Sequence, residues 1–522
     1  MYTKTYSATL RGIDASIIAV ETDVNKGLPG FNIVGLPDKS ISEAKERINV
    51  AMRASGYEIP PSRVLINLSP AQIRKEGVQF DLAIAISLMI NLGYLNVAPD
   101  FLDRCCFLGE LSLRGEIKGI AGMLAFSIEA YKANFDYLII PSKNIQEASL
   151  VTLVEQSKTE IYAVSTIDEA KNLLEAIFIK SQNPPELSDY INNCINSHKL
   201  KALSAIELAR RAEQEQTTDL AEVIGQNKAK RGLEVAAAGY HHILMLGPPG
   251  CGKSMLAKRF KGLLPVLTME KALETTKIHS VSGQLKKDLI LDAPFRAPHH
   301  SASVTSLVGG GANAKPGEIS LAHNGVLFLD ELTEFPRHTI EQLRQVLEEK
   351  TITVSRIKNS YKYPADFTLI AACNPCPCGY LGDSEKTCVC TPVQISKYIT
   401  KLSGPLLDRI DIHIELQRLS PDEISKLNKK HLINKSNDQL LARIEAARDF
   451  AYKFNPDTVL EPAAEKFLES AIHKLKLSAR SFNKILKVSR TIANLDLSKA
   501  IKHEHLAEAL QFRAVDFQKY GL

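Results

Sequence analysis

Eight consecutive residues, Gly247-Pro248-Pro249-Gly250-Cys251-Gly252-Lys253-Ser254, have the types and spacing to hold a chain of phosphates. Small residues let successive backbone N–H groups turn toward one anion, and a helix N-terminus adds positive potential at the same point. Lys253 can reach the β- and γ-phosphates, and the Ser254 hydroxyl can ligate Mg²⁺. The chemistry requires a strand before the loop and a helix after it. The apolar run Ile243-Leu244-Met245-Leu246 and the helical pattern from Met255 to Phe260 supply both.

Phosphate binding alone does no chemistry; hydrolysis also needs a metal-holding carboxylate and a group that directs water. Val326-Leu327-Phe328-Leu329 reads as a buried strand and ends in Asp330-Glu331. Asp330 is expected to hold Mg²⁺ through water and Glu331 to orient or deprotonate the attacking water. A third apolar strand, Phe367 to Cys373, ends in Asn374-Pro375. The Asn374 amide can sense the γ-phosphate or hold the lytic water, although Asn-Pro is also an ordinary turn dipeptide.

Two close cysteine pairs, Cys376-Pro377-Cys378 and Cys388-Val389-Cys390, stand nine residues apart. Four thiolates can satisfy tetrahedral Zn²⁺, and four protein ligands leave no open position, so the expected role is structural. The alternative is four reduced cysteines in a surface loop. Cys251 reads as a small residue within the phosphate loop; Cys105, Cys106 and Cys194 carry no readable role.

The surrounding chain bounds these readings. Its 522 residues suggest about three domains. A net charge of +5 is too small to argue nucleic-acid binding from composition, so any such case rests on local placement. The N-terminus lacks the apolar core of a signal peptide, and the longest apolar stretch, Leu82 to Leu92, is too short to span a bilayer. The expected location is the cytoplasm, where cysteines are thiols or metal ligands.

The fold class expected is α/β. Residues 1–175 mix strands (Ser16 to Val20, Val64 to Leu68, Tyr137 to Ile140) with helices (Ser42 to Ala54, Asp81 to Leu92). Residues 176–218 read as a polar linker with helical pieces. Strands and helices alternate over 219–415, as in a parallel sheet. Residues 416–522 read as helical, opening on a capping box at Ser420-Pro421-Asp422-Glu423, with later helices from Asp438, Pro462, Ser478 and His503.

The order of these elements resembles the AAA+ ATPases of the magnesium-chelatase-like branch, and the YifB/ComM family within it, over nearly the whole chain. Three stretches carry the resemblance: Pro294 to Ser301 (PFRAPHHS), Asn374 to Gly379 (NPCPCG) and Ser403 to Asp411 (SGPLLDRID). The resemblance implies an AAA+ core, a helical lid, ATP and Mg²⁺ as cofactors, and a homo-hexameric ring. It implies Asn374 as sensor 1, Arg409 as an arginine finger reaching a neighbouring subunit, Arg480 as sensor 2, and the segment Asp219 to Gln226 beside adenine. A guanidinium suits the tasks of Arg409 and Arg480, because charge spreads over the γ-phosphoryl oxygens during transfer. The other readings are an ion pair of Arg409 with Asp408 or Asp411 and a solvated face for Arg480.

The first domain resembles the Lon-protease type through Lys75 to Asp81 and Gly122 to Pro141. Gln79 and Leu124 stand where that type carries its Ser and Lys, so a non-proteolytic module is expected. For DNA, a hairpin over Thr351 to Asp366 tipped by Arg356 and Lys358, and the glycine-rich segment Pro298 to Pro316, are candidate pore elements, with solvated surface loops as the alternative. The resemblance implies a DNA motor that promotes branch migration when incoming DNA is recombined during natural transformation. Its rivals are a chelatase-type ATPase that remodels a protein partner and a nucleotide-gated DNA-binding scaffold.

Overall fold

The computed structural model describes residues 2–153, 158–182, 189–199, 220, 223, 225–311, 314–355, 360–383, 385–402, 404–418, 438–454, 459–475 and 478–513. The chain divides into two compact units. One comprises Met1–Gln214, Met269–Ile290 and Ala312–Lys315, the other Glu215–Thr268, Leu291–Gly311 and Pro316–Leu522. The helix Met269–Ser282, which lies inside the segment read from sequence as 219–415, therefore belongs with the N-terminal strands. Among the described residues no helix is long and apolar enough to cross a membrane.

The first unit is built on a mixed sheet of β1 (Tyr2–Arg11), β2 (Asp14–Asn25), β3 (Gly30–Val34), β4 (Arg63–Ser69), β5 (Cys105–Phe107), β6 (Tyr137–Pro141) and β7 (Glu160–Val164). Their order is β3-β4-β2-β1-β5-β6-β7. β1, β2 and β4 pair antiparallel; β5, β6 and β7 run parallel, as does β3 on β4. Helices α1 (Lys39–Ala54), α2 (Asp81–Asn91), α3 (Met123–Lys132) and α4 (Ile167–Ser181) flank the sheet. The expected strands and helices of this segment form with shifted ends: the strand at Ser16 to Val20 extends to Asp14–Asn25, and the helix from Asp81 ends at Asn91. α2 is buried from Asp81 to Ile90, so its lack of a polar face reflects a core position.

The second unit is built on a five-stranded parallel sheet of β8 (Ile243–Leu246), β9 (Phe295–Arg296), β10 (Val326–Leu329), β13 (Thr368–Cys373) and β14 (Ile412–Glu415), in the order β9-β10-β13-β8-β14. β8, β10 and β13 are buried along their whole length, which is why they read as unbroken apolar runs without alternation. An antiparallel hairpin, β11 (Thr351–Ser355) with β12 (Ser360–Pro364), precedes β13. Helices α5 (Asn227–Gly239), α6 (Lys253–Phe260) and α7 (Arg337–Glu349) belong to the sheet layer, followed by α8 (Asp438–Phe454), α9 (Pro462–Leu475), α10 (Ala479–Leu495) and α11 (His503–Gln511). α10 begins at an N-cap, Ser478, whose side chain accepts from Ser481 N, and packs on α11 and α5. The capping box at Ser420 lies outside the described residues.

Candidate nucleotide site and cysteine centre

Parallel strands present their C-terminal ends on one edge of the sheet, and a ligand crevice forms there. β8 runs into the phosphate loop, β10 into Asp330 and Glu331, and β13 into Asn374. The register Leu244↔Ala371 and Leu329↔Ala371 sets these three ends side by side. Gly250 and Gly252 take left-handed φ values of +80° and +94°, which open the loop and let α6 start at Lys253.

Lys253 is buried, and its ammonium is held within the loop. Nζ donates to Gly247 O at 2.6 Å, to Pro248 O at 3.0 Å and to Asn374 Oδ1 at 3.0 Å. Ser254 Oγ donates to Asp330 Oδ2 at 2.6 Å, and Glu331 N donates to Asp330 Oδ1 at 3.0 Å. A hydroxyl beside a carboxylate, at the second residue of a helix that follows a phosphate loop, is an oxygen donor set suited to Mg²⁺. The residues present therefore fit a magnesium-bound nucleoside triphosphate. Glu331 sits at φ +52°, a left-handed conformation costing about 1–2 kcal/mol for a residue with a Cβ. Such strain is tolerated where a side chain must be aimed.

The sequence reading missed one member of this cluster. His300 Nδ1 lies 3.3 Å from Glu331 Oε2, and its ring packs against His299 with centroids 4.1 Å apart and planes tilted by 34°. The PFRAPHHS stretch flagged this segment, but only the fold shows that its second histidine faces the acid at the end of β10. Gln226, from the segment linked to adenine by resemblance, donates through Nε2 to Gln417 O at 2.7 Å and to Cys251 O at 3.4 Å. Asp219 itself lies outside the described residues.

The two arginines do not join Lys253. Arg409 is buried, donates through Nη1 to Pro405 O at 2.5 Å, and pairs through Nη2 with Glu348 Oε1 on α7. Arg480 Nη2 donates to the same Glu348 oxygen at 3.0 Å. The Arg409 hydrogen bond, helped by Arg480, holds the Glu348 carboxyl below its ordinary range. The ion-pair partner of Arg409 is thus a residue 61 positions away in sequence, and neither Asp408 nor Asp411. Asp411 instead faces Lys484 of α10, with Lys484 Nζ 2.5 Å from Oδ1. Arg356 and Lys358 fall outside the described residues, though the hairpin strands that flank them form as expected.

Cys376, Cys378, Cys388 and Cys390 bring their sulfurs within 4.8 Å of one another. Sγ–Sγ distances are 3.3 Å for Cys376–Cys378, 3.6 Å for Cys376–Cys388 and 3.5 Å for Cys378–Cys388. Tetrahedral Zn²⁺ with Zn–S bonds of about 2.3 Å spaces its sulfurs by about 3.8 Å, so the cluster is close to the size the ion requires. Burial pushes the Cys378 thiol up, but the N–H groups of Tyr380 and Val389, with Cys376 and Cys390, bring it below its ordinary value, while burial holds the neighbouring Cys376 thiol above it. Backbone donors aimed at sulfur favour the thiolate that a metal needs.

In the first unit, Gln79 is bound through Nε2 to Ala8 O at 3.1 Å and Glu76 O at 2.8 Å. Leu124 is fully buried, its N–H on Glu147 Oε1 at 2.8 Å. Neither position carries a nucleophile. Ser87 is buried against Thr22 Oγ1 at 2.7 Å.

Comparison with known proteins identifies the family. Family models described as "Magnesium chelatase, subunit ChlI", "Subunit ChlI of Mg-chelatase" and "Magnesium chelatase, subunit ChlI C-terminal" match residues 219–424, 20–144 and 452–513. The chain is 40% identical over 524 residues to the YifB protein of Escherichia coli strain K12, covering 97% of this chain and 96% of that one. It is 39% identical over 522 residues to competence protein ComM of Haemophilus influenzae, covering 98% and 97%. A magnesium-chelatase 38 kDa subunit of Cereibacter sphaeroides is 24% identical over 174 residues, covering 29% of this chain and 51% of that protein. With its phosphate loop, acidic strand end and full-length likeness to these relatives, the chain belongs to the YifB/ComM family of magnesium-chelatase-like AAA+ proteins.

Proposed function

We propose that the protein is an ATP-hydrolysing AAA+ motor acting on DNA, a homo-hexameric helicase that drives branch migration during homologous recombination. The observation that carries the ATPase part is the convergence of Lys253, Ser254, Asp330, Glu331 and Asn374 at the ends of three adjacent parallel strands. In this reading Lys253 binds the β- and γ-phosphates, Ser254 and Asp330 hold Mg²⁺, Glu331 directs water and Asn374 positions it at the γ-phosphate. Arg409 and Arg480 stabilise the charge that develops on transfer, Arg409 in a neighbouring subunit. The DNA part rests on the likeness to a protein named for competence, which points to the uptake and integration of DNA. Arg356 and Lys358 contact the phosphate backbone. The four cysteines hold a structural Zn²⁺, and the protein works in the cytoplasm.

The test is strand displacement and branch migration on forked and four-way DNA, with ATP, for the full chain and for Glu331→Gln. ATP-dependent unwinding that disappears in the variant supports the motor. ATP turnover indifferent to every DNA structure would refute the DNA assignment and favour the second reading, a chelatase-type ATPase that remodels a protein partner. That reading draws on the likeness to a magnesium-chelatase subunit.

A further inference from the structure

The cysteine centre and the phosphate loop touch. Gly379, immediately after Cys378, has φ +83°, and a Cβ placed there would lie 2.7 Å from Pro249 Cδ and 2.8 Å from Pro249 Cγ. The same Cβ would lie 3.8 Å from Asn374 Cγ. The backbone of the cysteine knuckle is thus packed directly on the proline ring that shapes the phosphate loop, and beside the amide that Lys253 reaches. The proline ring is closed onto the backbone and locks φ, so it cannot swing aside as a flexible side chain would, and the position of Gly379 and the path of the loop are linked.

The knuckle is held from its other side as well. Arg418 lies 3.2 Å from Asp383 Oδ2 and donates to Glu385 Oε2 at 2.9 Å. It follows Gln417, whose carbonyl accepts from Gln226; that same amide reaches Cys251 O in the phosphate loop. Gly247 approaches this strand end so closely that a Cβ would sit 2.6 Å from Leu416 O. The phosphate loop therefore lies between two supports, Gly379 on the knuckle and the 416–418 segment, and Arg418 ties them together.

We propose that the four-cysteine knuckle, when it holds its metal, positions the phosphate loop and Asn374 for nucleotide, with Gly379 as the positioning residue. This rests on the reading of the four cysteines as a metal centre. Without the ion, the two cysteine pairs keep only weak thiol and N–H···S contacts, such as Cys378 N to Cys390 Sγ at 3.4 Å, and the Arg418 ion pairs on the segment between them, so Gly379 is held less firmly and the loop loses a rigid wall. Nucleotide affinity, and not merely stability, then depends on metal occupancy.

The experiment uses the full-length chain. Zinc content is measured by elemental analysis, and affinity for a fluorescent ATP analogue is measured with excess Mg²⁺. Three samples are compared: as purified, stripped with a zinc-selective chelator, and reloaded with Zn²⁺. Stripping is expected to weaken nucleotide binding by about tenfold or more, with recovery on reloading. Gly379→Ala should retain zinc and show a loss of similar size. Gly382→Ala is the matched control, because Gly382 has φ +79° yet a Cβ there meets nothing within 4 Å. It carries the same backbone strain without the contact and should keep its affinity. A chain that holds no zinc overturns the metal centre and this proposal with it. A chain that holds zinc but binds nucleotide equally well when stripped overturns the coupling alone. Equal losses in Gly379→Ala and Gly382→Ala also overturn it, since strain and not contact would then be responsible.

Discussion

Replacing Lys484 with Met should weaken the hold of the last helices of the second unit on its sheet. Lys484 lies on α10. Its Nζ is 2.5 Å from Asp411 Oδ1 and donates to Arg409 O at 3.1 Å. Asp411 is 1% exposed, whereas the lysine side chain is 23% exposed. Removing one partner of a buried pair costs about 3–5 kcal/mol, because the other charge is left without compensation. Two features reduce that here: water reaches the lysine, and Asp411 keeps the His242 N–H at 3.0 Å. The expected loss is about 2–3 kcal/mol, or about 1 M in urea midpoint for the transition of this unit.

The pH dependence is the sharper part of the test. Burial opposes the charge on Asp411, but the side-chain contact with His241 leads the groups that outweigh it, with Lys484 among the nearby charges, and the carboxyl is held well below its ordinary value of 3.8. Burial also lowers His241 and takes His242 down to about 4, with Lys484 adding to both effects. At pH 7 the two imidazoles are therefore neutral, and Lys484 is the cation facing Asp411. A depressed carboxylate contributes stability above its unfolded pKa and loses it as pH falls. A histidine held neutral is penalised as pH falls through its unfolded value of about 6.5. Without Lys484 the histidines protonate more readily, so that penalty shrinks. The cost of Lys484→Met should thus be level from pH 7 to about 9, diminish below about 6.5, and diminish again below about 4. Urea titrations across this range, in a cycle with Asp411→Asn, measure it. A cost under about 0.5 kcal/mol, or strict additivity with Asp411→Asn, would show that the pair is a surface-like contact and refute the argument.

Glu331→Gln should keep nucleotide affinity while lowering kcat by about 10²–10⁴, the range expected for losing a general base; a parallel loss of binding would instead make Glu331 a structural anchor. Arg409→Ala should lower kcat by about 10³–10⁵, and mixing it with Lys253→Ala subunits should recover some turnover if the arginine serves a neighbour. Absence of recovery in rings shown to contain both variants would assign Arg409 to its Glu348 pair alone. Substituting Arg356 and Lys358 with Ala should flatten log K against log salt by about 1.4 for single-stranded DNA, two phosphate contacts at about 0.7 each. An unchanged slope would remove the hairpin from the DNA path.

Local chemistry made much of the fold and site readable in advance. A phosphate loop, an acidic strand end and an asparagine after an apolar strand each have a meaning that survives without tertiary knowledge, because backbone geometry on either side dictates them. The strands β8, β10 and β13 announced themselves as apolar runs for the same reason. His300 did not, because a histidine in a glycine-rich segment has no meaning until a partner is found 3.3 Å away. Glu348 was missed on similar grounds: on an amphipathic helix it looks like any exposed carboxylate, and only folding brings Arg409 and Arg480 to it.

From its residues alone this chain declared a nucleotide loop, its acidic partner and a four-cysteine cluster, since each is a short-range pattern whose chemistry lies in residue types and spacing. Which groups meet across the fold was decided by packing. The knuckle lies on Pro249, both arginines share one carboxylate, and Lys484 faces Asp411 because folding presses together strands, helices and loops distant in sequence, where a buried charge such as Asp411 must find a partner and a close approach such as that of Gly379 leaves no room for a Cβ.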